Sequence, residues 1–317
     1  MIKKYFASYS LQDWVMVVIR IFLGAMFLFS GAVKLVPIEP FEMKFVEIGV
    51  ASWKAAPFFA RTLIGIEFAL GVLLIFNLLP KWTLGATWWL LIGFVAYLVY
   101  DLYVHGNEGN CGCFGTFIKM TPLESLLKNV LLLPLVFLLL LKNKKEWKFY
   151  PYVFAGLFFV LSMGAPYVLY PVDDLDGYVR RNAEETGYPF PTALIPDFSI
   201  EGQKVDLTQG KYLLAFISLS CEHCKTAAYK LHILNAQKKL PPVYLVIVDS
   251  DEYWADFENE TKANFPKYYF PNERNFFEIT GYSVPKIFYI EEGIVKGKFD
   301  NVTLTDEMLD KAMGITP

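Results

Sequence analysis

Charge is scarce in this 317-residue chain: Lys, Arg, Asp and Glu together make up 19% of it, and the net charge is -3. Binding nucleic acid through its phosphates takes a basic patch or stripe. No long basic run interleaved with aromatics occurs, so nucleic acid is set aside as a partner. Cysteine is scarcer still. There are four, too close together in sequence to staple distant segments, because they fall as Cys111 with Cys113 and Cys221 with Cys224. No internal repeat or low-complexity tract is present. What the chain has in abundance is apolar surface. A hydrophobic fraction of 55% and a mean hydropathy of +0.35 are too high for a soluble protein and point to a membrane domain. The charges are sparse before about residue 172 and frequent after it, which predicts a membrane half followed by a soluble half.

Crossing a bilayer takes about 20 apolar residues of helix. Stretches of that kind run near Trp14 to Leu35, Ala60 to Leu79, Trp82 to Tyr103, Leu123 to Leu141 and Pro151 to Tyr170. The first, with Lys3 and Lys4 before it and Ser30, Gly31 and Ala32 near its end, has a competing reading as a signal peptide. Its length and the glycines Gly24 and Gly31, spaced for helix packing, favour a span. Basic residues in short connections favour the cytoplasmic side. The Lys142 to Lys148 connection, Lys3, Lys4 and Lys81 then place the N terminus in the cytoplasm, of a bacterial inner membrane. The C-terminal region and the loop holding Cys111 and Cys113 fall on the outer, periplasmic side, where disulfides persist.

The predicted domains are a transmembrane bundle over 1–172, a polar connector over 173–191 rich in charge and proline, and an α/β domain over 192–317. In the last, Tyr212 to Ser218 and Val243 to Val248 read as strands flanking a helix over Lys225 to Lys239. Ile287 to Ile290 and Ile294 to Phe299 read as a hairpin, and Thr305 to Met313 as a closing helix capped by Thr305.

Cys221-Glu222-His223-Cys224 follows a strand and opens a helix, so the Cys221 sulfur sits at the positive end of the helix dipole. His223 adds positive charge beside it, which lowers the thiol pKa and favours the disulfide as an oxidant. Asn110-Cys111-Gly112-Cys113-Phe114-Gly115 lies beyond the outer end of the third span. A disulfide across one intervening residue closes a very small ring, suited to electron transfer rather than bracing. The competing readings are a zinc site shared by the two pairs, or thiols that do nothing.

The region Thr192 to Met313 resembles the thioredoxin superfamily, in particular its TlpA-like members. The likeness is carried by Pro196-Asp197-Phe198, Ser220-Cys221-Glu222-His223-Cys224-Lys225 and Val284-Pro285, with Leu219-Ser220 where a tryptophan usually precedes the first cysteine. It implies that Cys221 attacks, Cys224 resolves and Pro285 is a cis proline beside them. Trp14 to Leu141 is similar to the DoxX and MauE membrane families through Arg20, Gly24, Ser30, Gly31, Lys34, Glu67 and Cys111-Gly112-Cys113-Phe114-Gly115. MauE is associated with methylamine utilisation beside a separate thioredoxin-like partner, and in this chain the two parts are fused.

Charges at membrane depth are costly and are paired or functional. Lys34 and Glu67, near the outer ends of their helices, are expected to pair, as are Glu124 and Lys128 at i,i+4. Arg20 lies toward the cytoplasmic end. Tyr97, Tyr100, His105 and the tryptophans are candidates to line a quinone pocket, against the alternative of interfacial anchors. The expected function is that of a membrane thiol-disulfide oxidoreductase. Electrons pass from extracytoplasmic client thiols through Cys221 and Cys224 to Cys111 and Cys113, and on to a quinone, with no bound metal. The alternatives are an assembly factor that holds clients without turnover, and a DoxX-like subunit of a sulfur-compound oxidising complex.

Overall fold

The computed structural model describes residues 10–107, 109–115, 117–142, 151–172 and 185–315. It divides into two compact units, Met1–Val172 and Asp173–Pro317. Lys3, Lys4, the lysines of the connection beyond Lys142 and the connector charges from Asp173 to Glu184 lie outside the described residues.

Among the described residues of the first unit five helices are long and apolar enough to cross a membrane: α1 (Leu11–Lys34), α3 (Ala56–Phe76), α4 (Pro80–His105), α5 (Pro122–Lys142) and α6 (Pro151–Leu169). Their ends follow from local chemistry. Ser10 and Asp13 form a reciprocal cap on α1, with the Ser10 Oγ accepting from the Asp13 N–H at 3.3 Å and the Asp13 carboxylate accepting the Ser10 N–H at 2.9 Å. Asn77 ends α3 in the left-handed conformation and Pro80 opens α4. Thr121 and Glu124 cap α5 in the same reciprocal way, at 3.3 and 2.8 Å. This corrects the expected Glu124–Lys128 pair: the carboxylate is used at the helix start, and Lys128 instead lies 3.9 Å over the Phe114 ring.

Side chains such as Val18, Trp89, Leu131 and Val160 are exposed along these helices, an apolar outer face suited to lipid. Inside, Leu23, Phe27, Leu74, Leu91, Leu132 and Val136 form a core shared by α1, α3, α4 and α5. Small residues let α1 and α3 approach closely. A Cβ on Gly24 would stand 2.7 Å from the Gly71 carbonyl oxygen, and one on Gly71 2.9 Å from that of Gly24.

A helix absent from the sequence expectations, α2 (Glu39–Glu47), follows the first span. It is short and amphipathic, and it buries Phe41, Met43 and Val46. Its buried Glu42 receives Arg61 Nη1 at 2.5 Å, and the same guanidinium donates to the carbonyls of Tyr170 at 2.6 Å and Pro171 at 2.9 Å. Arg61 thus fastens α2 and the end of α6 to α3.

The second unit is a thioredoxin-like α/β fold. A small hairpin, β1 (Ser199–Ile200) and β2 (Gln203–Lys204), precedes a five-stranded open sheet. The strands are β3 (Lys211–Ile217), β4 (Val243–Ile247), β5 (Lys267–Tyr269), β6 (Lys286–Glu291) and β7 (Ile294–Phe299), in the order β5-β4-β3-β6-β7. β3, β4 and β5 are parallel, β6 pairs antiparallel with β3, and β7 antiparallel with β6. The parallel crossover from β3 to β4 is made by α7 (Glu222–Gln237). α8 (Trp254–Thr261) leads to β5, α9 (Glu273–Thr280) leads to β6, and α10 (Asp306–Met313) closes the chain, with the Thr305 Oγ accepting from the Met308 N–H at 3.3 Å. β3 is central and buried on both faces. Leu214 and Phe216 join Phe190, Phe198, Phe270, Phe276 and Phe288 in an aromatic core, while Leu213, Ala215 and Ile217 are buried on the opposite face. That rigid strand ends at the cysteine turn.

Candidate functional site

β3 runs through Ser218-Leu219-Ser220 into α7, whose N-cap residue is Cys221. The Cys221 side chain makes no capping bond, so its sulfur stands beside the free N–H groups of the first turn. It is partly accessible, whereas Cys224, one turn on, is fully buried. The Cys221 thiol is pushed down to about 6, first by hydrogen bonding from the Cys224 thiol, then by the N–H groups of Cys224 and His223 and by the charge of His223, against the opposing effect of burial. Cys224 is pushed far up, first by burial and then by its bond to Cys221, although the Ser218 N–H reaches its sulfur at 3.4 Å. Asp249 at the end of β4 accepts the Leu219 N–H, holding the turn, and its charge also disfavours a Cys224 thiolate. His223 is exposed, with Nδ1 3.4 Å from Asn301 Nδ2. The Val284–Pro285 bond is cis. Since Lys286 pairs with Phe216 near the end of β3, Pro285 lies at the same end of the sheet as Cys221.

The other pair sits in the loop between α4 and α5. Asn110 organises it: its Oδ1 accepts from the Gly112 N–H at 3.1 Å and its Nδ2 donates to the Gly115 carbonyl at 2.8 Å. Gly115 has φ +58, and a Cβ there would stand 2.4 Å from the Val33 carbonyl oxygen, so only glycine lets this loop lie against the end of α1. Cys111 is buried, with its sulfur 2.8 Å from the Ser125 Oγ and its N–H bonded to Met120 O at 3.0 Å. Cys113 is partly accessible, and its N–H donates to the Cys111 sulfur at 3.4 Å. Ser30 donates to the Cys113 carbonyl at 3.2 Å and accepts from Lys34 Nζ at 3.0 Å. Lys34 in turn pairs with Glu67, as expected, both almost fully buried. Cys113 is pushed down to about 6, first by its hydrogen bond with Cys111 and then by the charges of Lys128 and Lys34, which outweigh burial. Cys111 is pushed far up by the bond to Cys113 and by burial. All four cysteines are free thiols in this structure.

Both cysteines of this loop line a cavity of about 230 Å³, together with Lys34, Glu67, Lys128, Asn129 and the rings of Phe27, Phe41, Phe45 and Phe94. Tyr97 is in its wall, and Tyr100, Trp82 and Trp89 are not among the residues that line it. Tyr100 and Trp82 are exposed toward the ends of α4, which fits interfacial anchors, Trp89 is exposed nearer the middle of that helix, and the His105 side chain lies outside the described residues. Arg20 is half-buried on α1 and is not in the cavity lining. Ser125 and Asn129 were not anticipated from sequence, and Asn110 was named with the cysteine loop but given no role. A polar residue in an otherwise apolar span was the available signal for the first two. Among the described residues no group of three or more His, Cys, Asp or Glu is placed to hold a metal.

Over 298 residues the chain is 30% identical to Protein TlpB of Flavobacterium psychrophilum, an alignment covering 78% of this chain and 80% of that one. The chain belongs to the TlpB family. Within this TlpB-family chain, residues 12–142 match the family described as methylamine utilisation protein MauE. Two solved structures from Bacteroides are similar to part of the chain, each at 20% identity. The thioredoxin domain of a thiol-disulfide oxidoreductase from Bacteroides vulgatus covers 42% of the chain and 99% of itself, with a TM-score of 0.33. A thiol:disulfide interchange protein from Bacteroides sp. covers 40% and 83%, with a TM-score of 0.29. This TlpB-family protein thus joins a MauE-like membrane region to an α/β unit whose open five-stranded sheet is of thioredoxin-like fold.

Proposed function

We propose that the protein is a membrane thiol-disulfide oxidoreductase that takes electrons from extracytoplasmic client thiols at Cys221 and Cys224, passes them to Cys111 and Cys113, and delivers them to a quinone. The observation that carries this reading is a shared asymmetry. Each pair has one partly accessible thiol held down to about 6, Cys221 or Cys113, and one buried thiol pushed up, Cys224 or Cys111. That is the division of labour between an attacking and a resolving sulfur.

In the oxidative cycle a client thiolate attacks Cys221 of the Cys221–Cys224 disulfide, and Cys224 leaves and takes a proton. A second client thiolate attacks the client sulfur of that mixed disulfide, forming the client disulfide and releasing the Cys221 thiolate. Cys221 then attacks Cys113 of the Cys111–Cys113 disulfide and expels Cys111. Cys224 resolves the new mixed disulfide, the Cys221–Cys224 bond re-forms, and Cys113 leaves as a stable thiolate. Two electrons move per cycle, and the membrane dithiol returns them to the acceptor.

Five helices of membrane-spanning length support this reading, since two crossings between the α4–α5 loop and the C-terminal domain are what a shared face requires. The lysines after α5 and near the N terminus support that face being extracytoplasmic. A membrane-impermeant thiol reagent should therefore label both reduced pairs in intact spheroplasts. The relay is tested by Cys224→Ser, which should accumulate a mixed disulfide from Cys221 to a client or to the membrane pair, identified by mass spectrometry. If that link to Cys111 or Cys113 never forms, and loss of both membrane cysteines leaves the redox state of Cys221 and Cys224 unchanged in cells, the relay is wrong.

A further inference from the structure

Two residues that line the cavity beside Cys111 and Cys113 each carry a polar atom with nothing to bond. Glu67 Oε2 and Asn129 Nδ2 are both buried and without a hydrogen-bond partner, and both residues, 1% and 3% exposed, line the cavity. Leaving such a group unsatisfied costs on the order of 1–3 kcal/mol, so two of them at one cavity mark a place where a polar ligand belongs. One atom is an acceptor and the other a donor. The space is about 230 Å³, larger than the ~150 Å³ of an apolar cavity that takes up benzene. Its walls carry the rings of Phe41 and Phe94, suited to an aromatic plane. A ligand that fits is flat, of one or two rings, and able both to accept and to donate at its rim.

We propose that this cavity is the quinone headgroup site, with the Asn129 amide donating to one carbonyl oxygen of the quinone and the Glu67 carboxylate receiving a hydroxyl of the hydroquinone. This rests on the proposed electron route and assigns its terminus to named residues. A quinone presents carbonyl acceptors and its reduced form presents hydroxyl donors, so the orphaned donor serves one redox state and the orphaned acceptor the other. Cys111 and Cys113 give up two electrons and form their S–S bond. The quinone takes the two electrons and two protons, one from the Cys111 thiol and one from solvent, matching that lost when Cys113 ionised. The Lys34 ammonium, bound to Glu67 and lining the same cavity, balances the carboxylate before the hydroxyl arrives.

The test uses the full chain in nanodiscs with Cys221 and Cys224 both replaced by serine, so that the membrane pair is reduced chemically and acts alone. Under anaerobic conditions decylubiquinone or menadione is added and its reduction followed by absorbance. Asn129→Leu should raise the quinone concentration giving half-maximal rate by about tenfold or more, while oxidation of the same dithiol by diamide is unchanged. A redox-inert quinone analogue should also protect Cys113 of the otherwise native protein from maleimide, a binding readout independent of turnover and of how the variant folds. If Asn129→Leu matches its parent in quinone dependence, or the analogue gives no protection while quinone is still reduced, the site assignment is overturned and the relay stands. If diamide oxidises the pair and no quinone does, the site falls together with the quinone terminus, and the mixed-disulfide experiment still decides the relay.

Discussion

In both thiol centres the low thiol is held down first by a hydrogen bond with its partner cysteine, but what adds to that bond differs, and so does the order along the chain. In the soluble unit the low thiol is the first cysteine, because an N-cap residue lies outside the helix and faces its free N–H groups, while the fourth residue is carried into the core. In the membrane unit it is the second, Cys113. There Asn110 folds the loop so that Cys111 is fixed against Ser125 and Met120, and lysine charges from α1 and α5 act on Cys113. A helix end supplies its field from the backbone, where side-chain substitution barely reaches it. The loop borrows its field from Lys34 and Lys128, so its chemistry is open to single substitutions.

The largest expected effect tests the reversed order itself. Cys111→Ser should leave Cys113 able to attack and trap a mixed disulfide through Cys113, the mirror of the Cys224→Ser trap through Cys221. Cys113→Ser and Cys221→Ser should each abolish catalytic client oxidation. Trapping through Cys111 in the Cys113→Ser protein, seen in peptide maps, would reverse the assignment. Next comes the ion pair behind the loop. Lys34→Met leaves the Glu67 carboxylate buried without its cation and should cost about 3–5 kcal/mol in the membrane unit, with Glu67→Gln in the same chain restoring most of it. Thermal unfolding followed by reactivity of the two pairs separately should show the loss at Cys113 and not at Cys221.

A smaller effect separates the two fields. Both low thiols should reach half of their plateau alkylation rate near pH 6. Removing a neighbouring positive charge disfavours the thiolate, so Lys128→Met should move the Cys113 midpoint up by roughly one unit while Cys221 stays in place. Equal profiles in parent and variant would remove Lys128 from the account. The smallest change is expected at Asn301, whose side-chain amide lies 3.4 Å from an exposed His223 while its carbonyl, which Ala would keep, accepts from Lys230. Asn301→Ala should alter stability by less than about 0.5 kcal/mol and Cys221 alkylation by less than twofold.

Length and polarity made the membrane spans legible, since a run of about 20 apolar residues has few other uses, and the observed helices keep to those stretches with ends shifted by a few residues. The strand, cysteine turn and helix of the soluble unit were readable from period and composition, as was the Lys34–Glu67 pair. What escaped was short or long-range. α2 spans nine residues and β5 three, too few for a periodic signal. Arg61 finds Glu42 and two carbonyls far along the chain, which no local pattern encodes. The Glu124–Lys128 error was avoidable, because Thr121 three residues before Glu124 is the capping-box spacing and takes the carboxylate first.

The contact between Gly24 and Gly71 bears on how this membrane unit can vary. At each position an added methyl group would come within 3 Å of the other residue's peptide oxygen. A clash with a side chain can be relieved by trimming that side chain, but a peptide oxygen is the same in every amino acid. A lesion at either glycine therefore has no second-site suppressor among the side chains opposite it: recovery needs reversion or a displacement of the whole of α1 against α3. These two positions admit no paired exchange, so drift in the first and second spans must proceed around a fixed point, with the lipid-facing side free to change and the crossing held.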